Sequence, residues 1–173
     1  MINNGALYAM IKVIGIDPGL ASTGIGVVRG EGFDIAGYSF GAINTPKDIS
    51  SAARLDIIFS KVFQVLEDEK PDLMVVEDAF SLGKYPKAGI SLGKVSGVVL
   101  LAGYRNGINV IEVSVRETKQ VVTGNGNAGK AQLERSVRQL INHSDPIKPD
   151  HASDAIALAL VGLFRYENFI NSD

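Results

Sequence analysis

Residues 11–17, IKVIGID, form a β-branched apolar run that ends in an acid, and Pro18-Gly19 then forces a turn. Such a run reads as a buried strand. Two further strands are expected at 24–30 (GIGVVRG) and about 33–43 (FDIAGYSFGAI), joined by glycine-rich turns short enough for hairpins, so three antiparallel strands open the chain. Behind Thr45-Pro46, segment 50–68 sets Ala53, Ile57, Phe59, Val62, Phe63 and Leu66 at roughly helical spacing, and Pro71 stops it. Residues 72–77 (DLMVVE) are too short for a helix and rich in valine, which predicts a fourth strand, again ending in an acid.

From 89 to 105, small residues (Ala88, Gly89, Ser91, Gly93, Ser96, Gly97, Ala102, Gly103) interleave with Ile90, Leu92, Val95, Val98, Leu100, Leu101 and Tyr104. The length favours a helix. So many small residues predict close packing against another element or another subunit, because glycine costs ~1 kcal/mol against alanine inside a helix. A strand at 108–113 (INVIEV) and helices at 114–122, 130–142 and 153–169 follow. The order βββαβαβααα contains no repeat or linker. It predicts one α/β domain over 11–170, a five-stranded mixed sheet with its first three strands antiparallel, flanked by helices. Residues 1–10 (MINNGALYAM) lack the basic start and the long apolar run of a secretory signal and are expected to be a flexible tail.

A chain of 173 residues, 46% apolar and 21% charged, fits one globular domain. No segment approaches the ~20 apolar residues of a membrane span, so a cytoplasmic protein with no membrane role is expected. Without cysteine, only carboxylates and the two histidines remain as metal ligands. A net charge of −2 argues against a nucleic-acid binder. The distribution argues the other way: residues 81–140 hold nine basic side chains against three acidic ones. That stripe reads equally as a phosphate-holding surface or as solvated helix faces.

Asp17 and Glu77 each end a buried strand where the chain turns into a polar loop. If the two strands are parallel neighbours, both carboxylates project from one sheet edge and repel unless a cation lies between them. Singly, each acid reads as readily as a solvated turn residue. The start of the last helix, PDHASDAIALAL (149–160), adds two pairs that share a helix face, His151 with Asp154 and Asp150 with Asp154. Acids there also suit the helix dipole, so capping alone is a second reading of the same residues.

Four ordered segments resemble the RuvC family of Holliday junction resolvases: IGIDPGLASTGIGVV (14–28), VVEDAF (75–80), VRETKQVVTGNGNAGKAQL (115–133) and DHASDAIALAL (150–160). The resemblance spans residues 11–165. It implies an RNase H-like fold and a dimeric endonuclease that cuts four-way DNA junctions with Mg²⁺ or Mn²⁺, two ions per active site, in recombination and repair. It also implies Asp17, Glu77 and Asp154 as metal-binding acids, with Asp17 bridging the ions. The fourth ligand position, often Asp in the family, falls on His151, with Asp150 the alternative if the helix starts differently. An imidazole there lowers the negative charge and suits Mn²⁺ better than an all-oxygen set. Lys119 and Lys130 match basic positions of the family, which implies phosphate neutralisation or transition-state stabilisation, with an ordinary surface lysine the other reading of either. A branch-migration helicase is a further partner the resemblance implies.

Phe80, three residues after Glu77 in an expected loop, reads as a ring on which an unpaired base stacks or else as a core residue, and Lys84 and Lys87 beside it are expected on the DNA backbone. The 88–104 helix is the candidate dimer interface, since a symmetric junction cut on two strands calls for two sites related by a two-fold. Among rival readings, GNGNAGKA (124–131) has the spacing of a phosphate-binding P-loop but Ala131 where Ser or Thr should hold Mg²⁺. An actin-like ATPase needs two domains. The nearest rival keeps the fold and drops the junction: an RNase H-like nuclease for other nucleic acids, or a catalytically silent DNA-binding homologue.

Overall fold

A strand that is apolar on both faces needs cover on both sides, and β1 (Ile11–Asp17) takes the centre of the sheet. In the computed structural model, which describes residues 10–78 and 86–170, Val13, Ile14 and Ile16 are fully buried. β1 pairs antiparallel with β2 (Ser22–Glu31), which pairs antiparallel with β3 (Asp34–Asn44). On its other side β1 pairs parallel with β4 (Leu73–Glu77), and β4 parallel with β5 (Asn109–Val113), in the order β3-β2-β1-β4-β5. The expected five-stranded mixed sheet forms.

The two-residue period of the strands divides the core into two layers. Ile14, Ile16, Met74 and Val76 pack against α1 (Ser51–Glu69) and α2 (Pro86–Arg105) through Ile58, Val62, Val95 and Val99. Val13, Leu73, Val75 and Val113 pack on the opposite side against α5 (Asp150–Phe164), together with α3 (Val115–Thr123) and α4 (Lys130–Leu140). Asp17 and Glu77 continue the second series. Their side of the sheet is therefore the side of α5.

Glycines let α5 lie directly on the sheet. A Cβ at Gly15 would stand 2.0 Å from the Ala155 carbonyl oxygen, and one at Gly24 would stand 1.9 Å from that of His151. Only bare backbone admits helix backbone this close, so the first turn of α5 is held against the end of β1.

Local signals set the helix ends. Ser50 caps α1 by accepting from the Ala53 amide at 3.2 Å, and Ser114 caps α3 by accepting from the Glu117 amide at 3.2 Å. Gly124, at φ 74°, closes α3 in the left-handed region. The last helix corrects the sequence expectation of 153–169. It begins at Asp150, behind Pro149, whose fixed φ suits a helix entry, and it ends at Phe164. Arg165, at φ −120°, leaves the helical region, and a separate short helix, α6 (Tyr166–Ile170), follows. α4 likewise stops at Leu140 instead of 142, with Asn142 at φ 53°. Of the tail expected at 1–10, only Met10 falls within the described residues. No helix among the described residues is long and apolar enough to cross a membrane.

Candidate active site

β1 and β4 run in parallel with Ile16 opposite Val76, so Asp17 and Glu77 are the next residues on each strand, at one edge and on one face. The first turn of α5 brings His151 and Asp154 to the same edge. With Pro18, Val115, Thr118, Lys119, Lys130 and Leu133 they line an open cleft of about 300 Å³. Six of the residues singled out from the sequence, Asp17, Glu77, His151, Asp154, Lys119 and Lys130, thus meet in one place.

His151 Nδ1 lies 2.5 Å from Asp17 Oδ2, and Asp17 is only 6% exposed. Asp150 instead points to an adjacent pocket, exposed, with its Oδ1 3.2 Å from Lys148 Nζ. The hydrogen bond from Lys148 holds the Asp150 carboxyl below the usual range. Of the two candidates for the fourth ligand position, His151 is the one the helix turns into the cleft.

Burial, then the charges of Asp17 and Asp154, push the Glu77 carboxyl up to about 7. Asp154 is raised by burial and then by Asp17, while the hydrogen bond to Asp17 raises the His151 imidazole. Burial and the neighbouring carboxylates thus hold Glu77 and Asp154 back from ionising, an effect that added positive charge would reverse. As they stand, no three acid or histidine side chains among the described residues cage an ion. The Asp17–His151 hydrogen bond occupies two of the donors. The donor set nevertheless fits a divalent cation in kind: hard carboxylate oxygens, one imidazole, and a net negative charge that a cation relieves.

The GNGNAG loop is not a phosphate cradle. Its amides are spent internally: Gly126 N–H donates to Gln120 Oε1 at 3.0 Å, Asn127 N–H to Asn125 Oδ1 at 3.0 Å and Asn125 N–H to Thr123 Oγ1 at 3.1 Å. It follows a helix and not a strand, and what it delivers is Lys130, at the start of α4.

The basic stripe of 81–140 serves several purposes. Lys119 and Lys130 face the cleft, whereas Arg105 lies 5.8 Å over the Phe59 ring and Arg138 pairs with Glu134 at 2.7 Å. Phe80 and Lys84 lie outside the described residues, and so does the side chain of Lys87. Pro18, Val115, Thr118 and Leu133 were not picked out from the sequence as site residues. Val115, Thr118 and Val122 share a face of α3 at helical spacing, a signal that marks a buried face but not a cleft.

Fold and site together fit a nuclease of the RNase H-like class, a mixed sheet whose central parallel strands end in acids met by a helix that carries His151 and Asp154. The family described as crossover junction endodeoxyribonuclease RuvC matches residues 13–162, and the chain belongs to it. A relative of that name from Carboxydothermus hydrogenoformans is 43% identical over 155 residues, covering 90% of this chain and 97% of its own. One from Halothermothrix orenii is 36% identical, covering 86% and 89%. Among solved structures, Thermus thermophilus RuvC in complex with a Holliday junction substrate superposes with a TM-score of 0.85 at 28% identity, covering 92% of this chain and 96% of that one. A yeast mitochondrial Holliday junction resolvase shares the fold, with a TM-score of 0.62 at 15% identity.

Proposed function

We propose that this cleft cuts DNA at four-way junctions by metal-assisted phosphodiester hydrolysis, with Asp17, Glu77, His151 and Asp154 as the ligand set. The observation that carries the reading is the convergence of these four side chains with Lys119 and Lys130 in one cleft of a RuvC-family chain. When bound, Mg²⁺ or Mn²⁺, as two ions, supplies an activated water and neutralises charge on the scissile phosphate. The protein's own residues prepare that chemistry. Asp17, buried at the strand end, is the central ligand. Glu77, raised to about 7, would give up its proton to a bound cation, and His151 would release Asp17. Lys119 and Lys130 face the phosphate and offset the charge that builds as the bond breaks.

The chain acts as a homodimer through the 88–104 helix. Ile90, Leu101 and Tyr104 of α2 are 63%, 44% and 81% exposed, and Gly93 and Gly97 between them open onto empty space. An apolar stripe with small residues at its middle suits a symmetric helix pair, which places two clefts about a two-fold for paired cuts. Phe80 is assigned to base stacking and Lys84 and Lys87 to the DNA backbone. A branch-migration helicase is the expected partner, in the cytoplasm.

The test is cleavage of synthetic four-way junctions against matched duplexes and RNA–DNA hybrids, with Mg²⁺ and with Mn²⁺. Preferential cutting of the junction is the expected result. Equal cutting of duplex or hybrid points to a general RNase H-like nuclease, and junction binding without cutting to a silent homologue.

A further inference from the structure

Asp17 is followed by a four-residue turn, Pro18–Ala21, that leads into β2, and Pro18 itself lines the cleft. The turn is fastened from two sides. On the inside, the fully buried Thr23 donates its hydroxyl to the Gly19 carbonyl at 2.8 Å and accepts from the Gly19 amide at 3.4 Å. On the outside, the Leu20 carbonyl accepts from Thr45 Oγ1 at 2.5 Å and from Arg54 Nη2 at 3.1 Å. Arg54 Nε also donates to Thr45 Oγ1 at 2.8 Å, and the Thr45 amide donates to the Ala21 carbonyl at 3.2 Å.

We infer that Arg54 is a positioning residue for the cleavage reaction, clamping the Pro18–Ala21 turn and through it Asp17 from the helix on the far side of the sheet. The inference rests on the reading of Asp17 as the central acid. Arg54 stands in the first turn of α1, among the helices opposite α5. Both described acceptors of its guanidinium lie outside its own helix, at the turn and at Thr45, where β3 ends. A guanidinium spent on a neutral carbonyl and a hydroxyl forms charge-assisted hydrogen bonds, stronger than neutral ones. It also fills both of its roles in one plane, as the rigid fork of arginine allows and a lysine ammonium does not. A turn gripped by Thr23, Thr45 and Arg54 leaves Asp17 little freedom. That is what a ligand needs if it must release His151 and take up a cation without drifting, since a misplacement of ~1 Å can cost ~10²-fold in rate.

The experiment compares the full chain with Arg54→Met, Arg54→Lys and Thr45→Val by amide hydrogen exchange, thermal unfolding, junction affinity and single-turnover junction cleavage. In Arg54→Met, exchange at the Gly19 and Thr45 amides should quicken about tenfold, the worth of one lost hydrogen bond. Cleavage should slow by roughly 10–10²-fold while junction affinity stays unchanged. Arg54→Lys should recover part of the rate, and Thr45→Val should add little when combined with Arg54→Met, because both variants strip the same carbonyl. Three outcomes overturn the clamp: unchanged exchange, a rate loss that follows weaker and less salt-dependent junction binding, or a loss that merely tracks unfolding in every variant. If the wild-type chain cuts no junction, the nuclease reading fails and the exchange measurement alone decides the clamp. A cutting enzyme whose turn exchanges alike with and without Arg54 overturns the clamp only.

Discussion

The carboxylate of Asp17 and the imidazole of His151 are hydrogen-bonded, Oδ2 to Nδ1 at 2.5 Å, across the junction of the central strand and the last helix. The bond ties together two groups 134 residues apart in sequence. A cation held as proposed would have to compete with this bond for Asp17 Oδ2 and His151 Nδ1.

Asp17→Asn removes the charge while keeping the shape of the side chain. Junction cleavage should fall by about 10³-fold or more, the scale of removing one member of a catalytic set. Junction affinity, measured by gel shift without metal, should persist. Retained cutting would remove Asp17 from the site.

His151→Ala should cost a large part of the cleavage rate and change the Mg²⁺/Mn²⁺ preference, because imidazole favours the softer ion. Asp150→Ala should cut nearly as well as wild type, since Asp150 faces Lys148 and not the cleft. Metal titrations of both variants decide between them. A damaging Asp150→Ala beside a silent His151→Ala would reverse the assignment.

Glu77 contributes to the pH dependence beside Asp154 and His151. Its carboxyl rises from 4.5 to about 7 on folding, so between those values the folded chain holds more protons than the unfolded one. Stability without metal should therefore fall as pH climbs through this window and stay lower above it. Glu77→Gln should be the more stable protein at pH 8, by on the order of 1–3 kcal/mol, with the difference gone below the ordinary carboxylate range. Wild-type cleavage at low Mg²⁺ should rise towards pH 7, and more Mg²⁺ should shift that rise to lower pH. Denaturant melts and a pH–rate series check the two halves.

Gly24→Ala drives a methyl group into the His151 carbonyl, 1.9 Å from where the Cβ would stand. The first turn of α5 must lift from the sheet, at a cost of ~1–3 kcal/mol for an overpacked core. Cleavage should drop further than stability, because His151 and Asp154 ride on that turn. An equally stable and active variant would mean that the close approach is not needed.

Lys130→Met should slow cutting by about 10²-fold if its ammonium stabilises charge on the reacting phosphate. A surface lysine would instead leave the single-turnover rate intact and lower junction affinity slightly, with a shallower salt dependence. Measuring rate and affinity together separates the two.

The strands, most helices and the strand-end acids were legible in the sequence because each rests on local chemistry. IKVIGID is an apolar run that reads as a buried strand, and an acid at the end of such a strand falls where the chain turns into a polar loop. Period-two alternation even fixes that Asp17 lies on the same face as Val13. What no local pattern holds is which helix covers that face and how near it comes. Gly15, Gly24 and Gly26 read along the chain as turn and strand glycines; only in the folded sheet do they form the bare patch on which α5 rests. That seat turns His151 inward and leaves Asp150 to solvent. It depends on contacts between segments more than a hundred residues apart, which sequence spacing does not encode. Arg54 was hidden for the same reason: on its own helix it is an ordinary first-turn arginine, and its meaning lies in the Leu20 carbonyl across the fold.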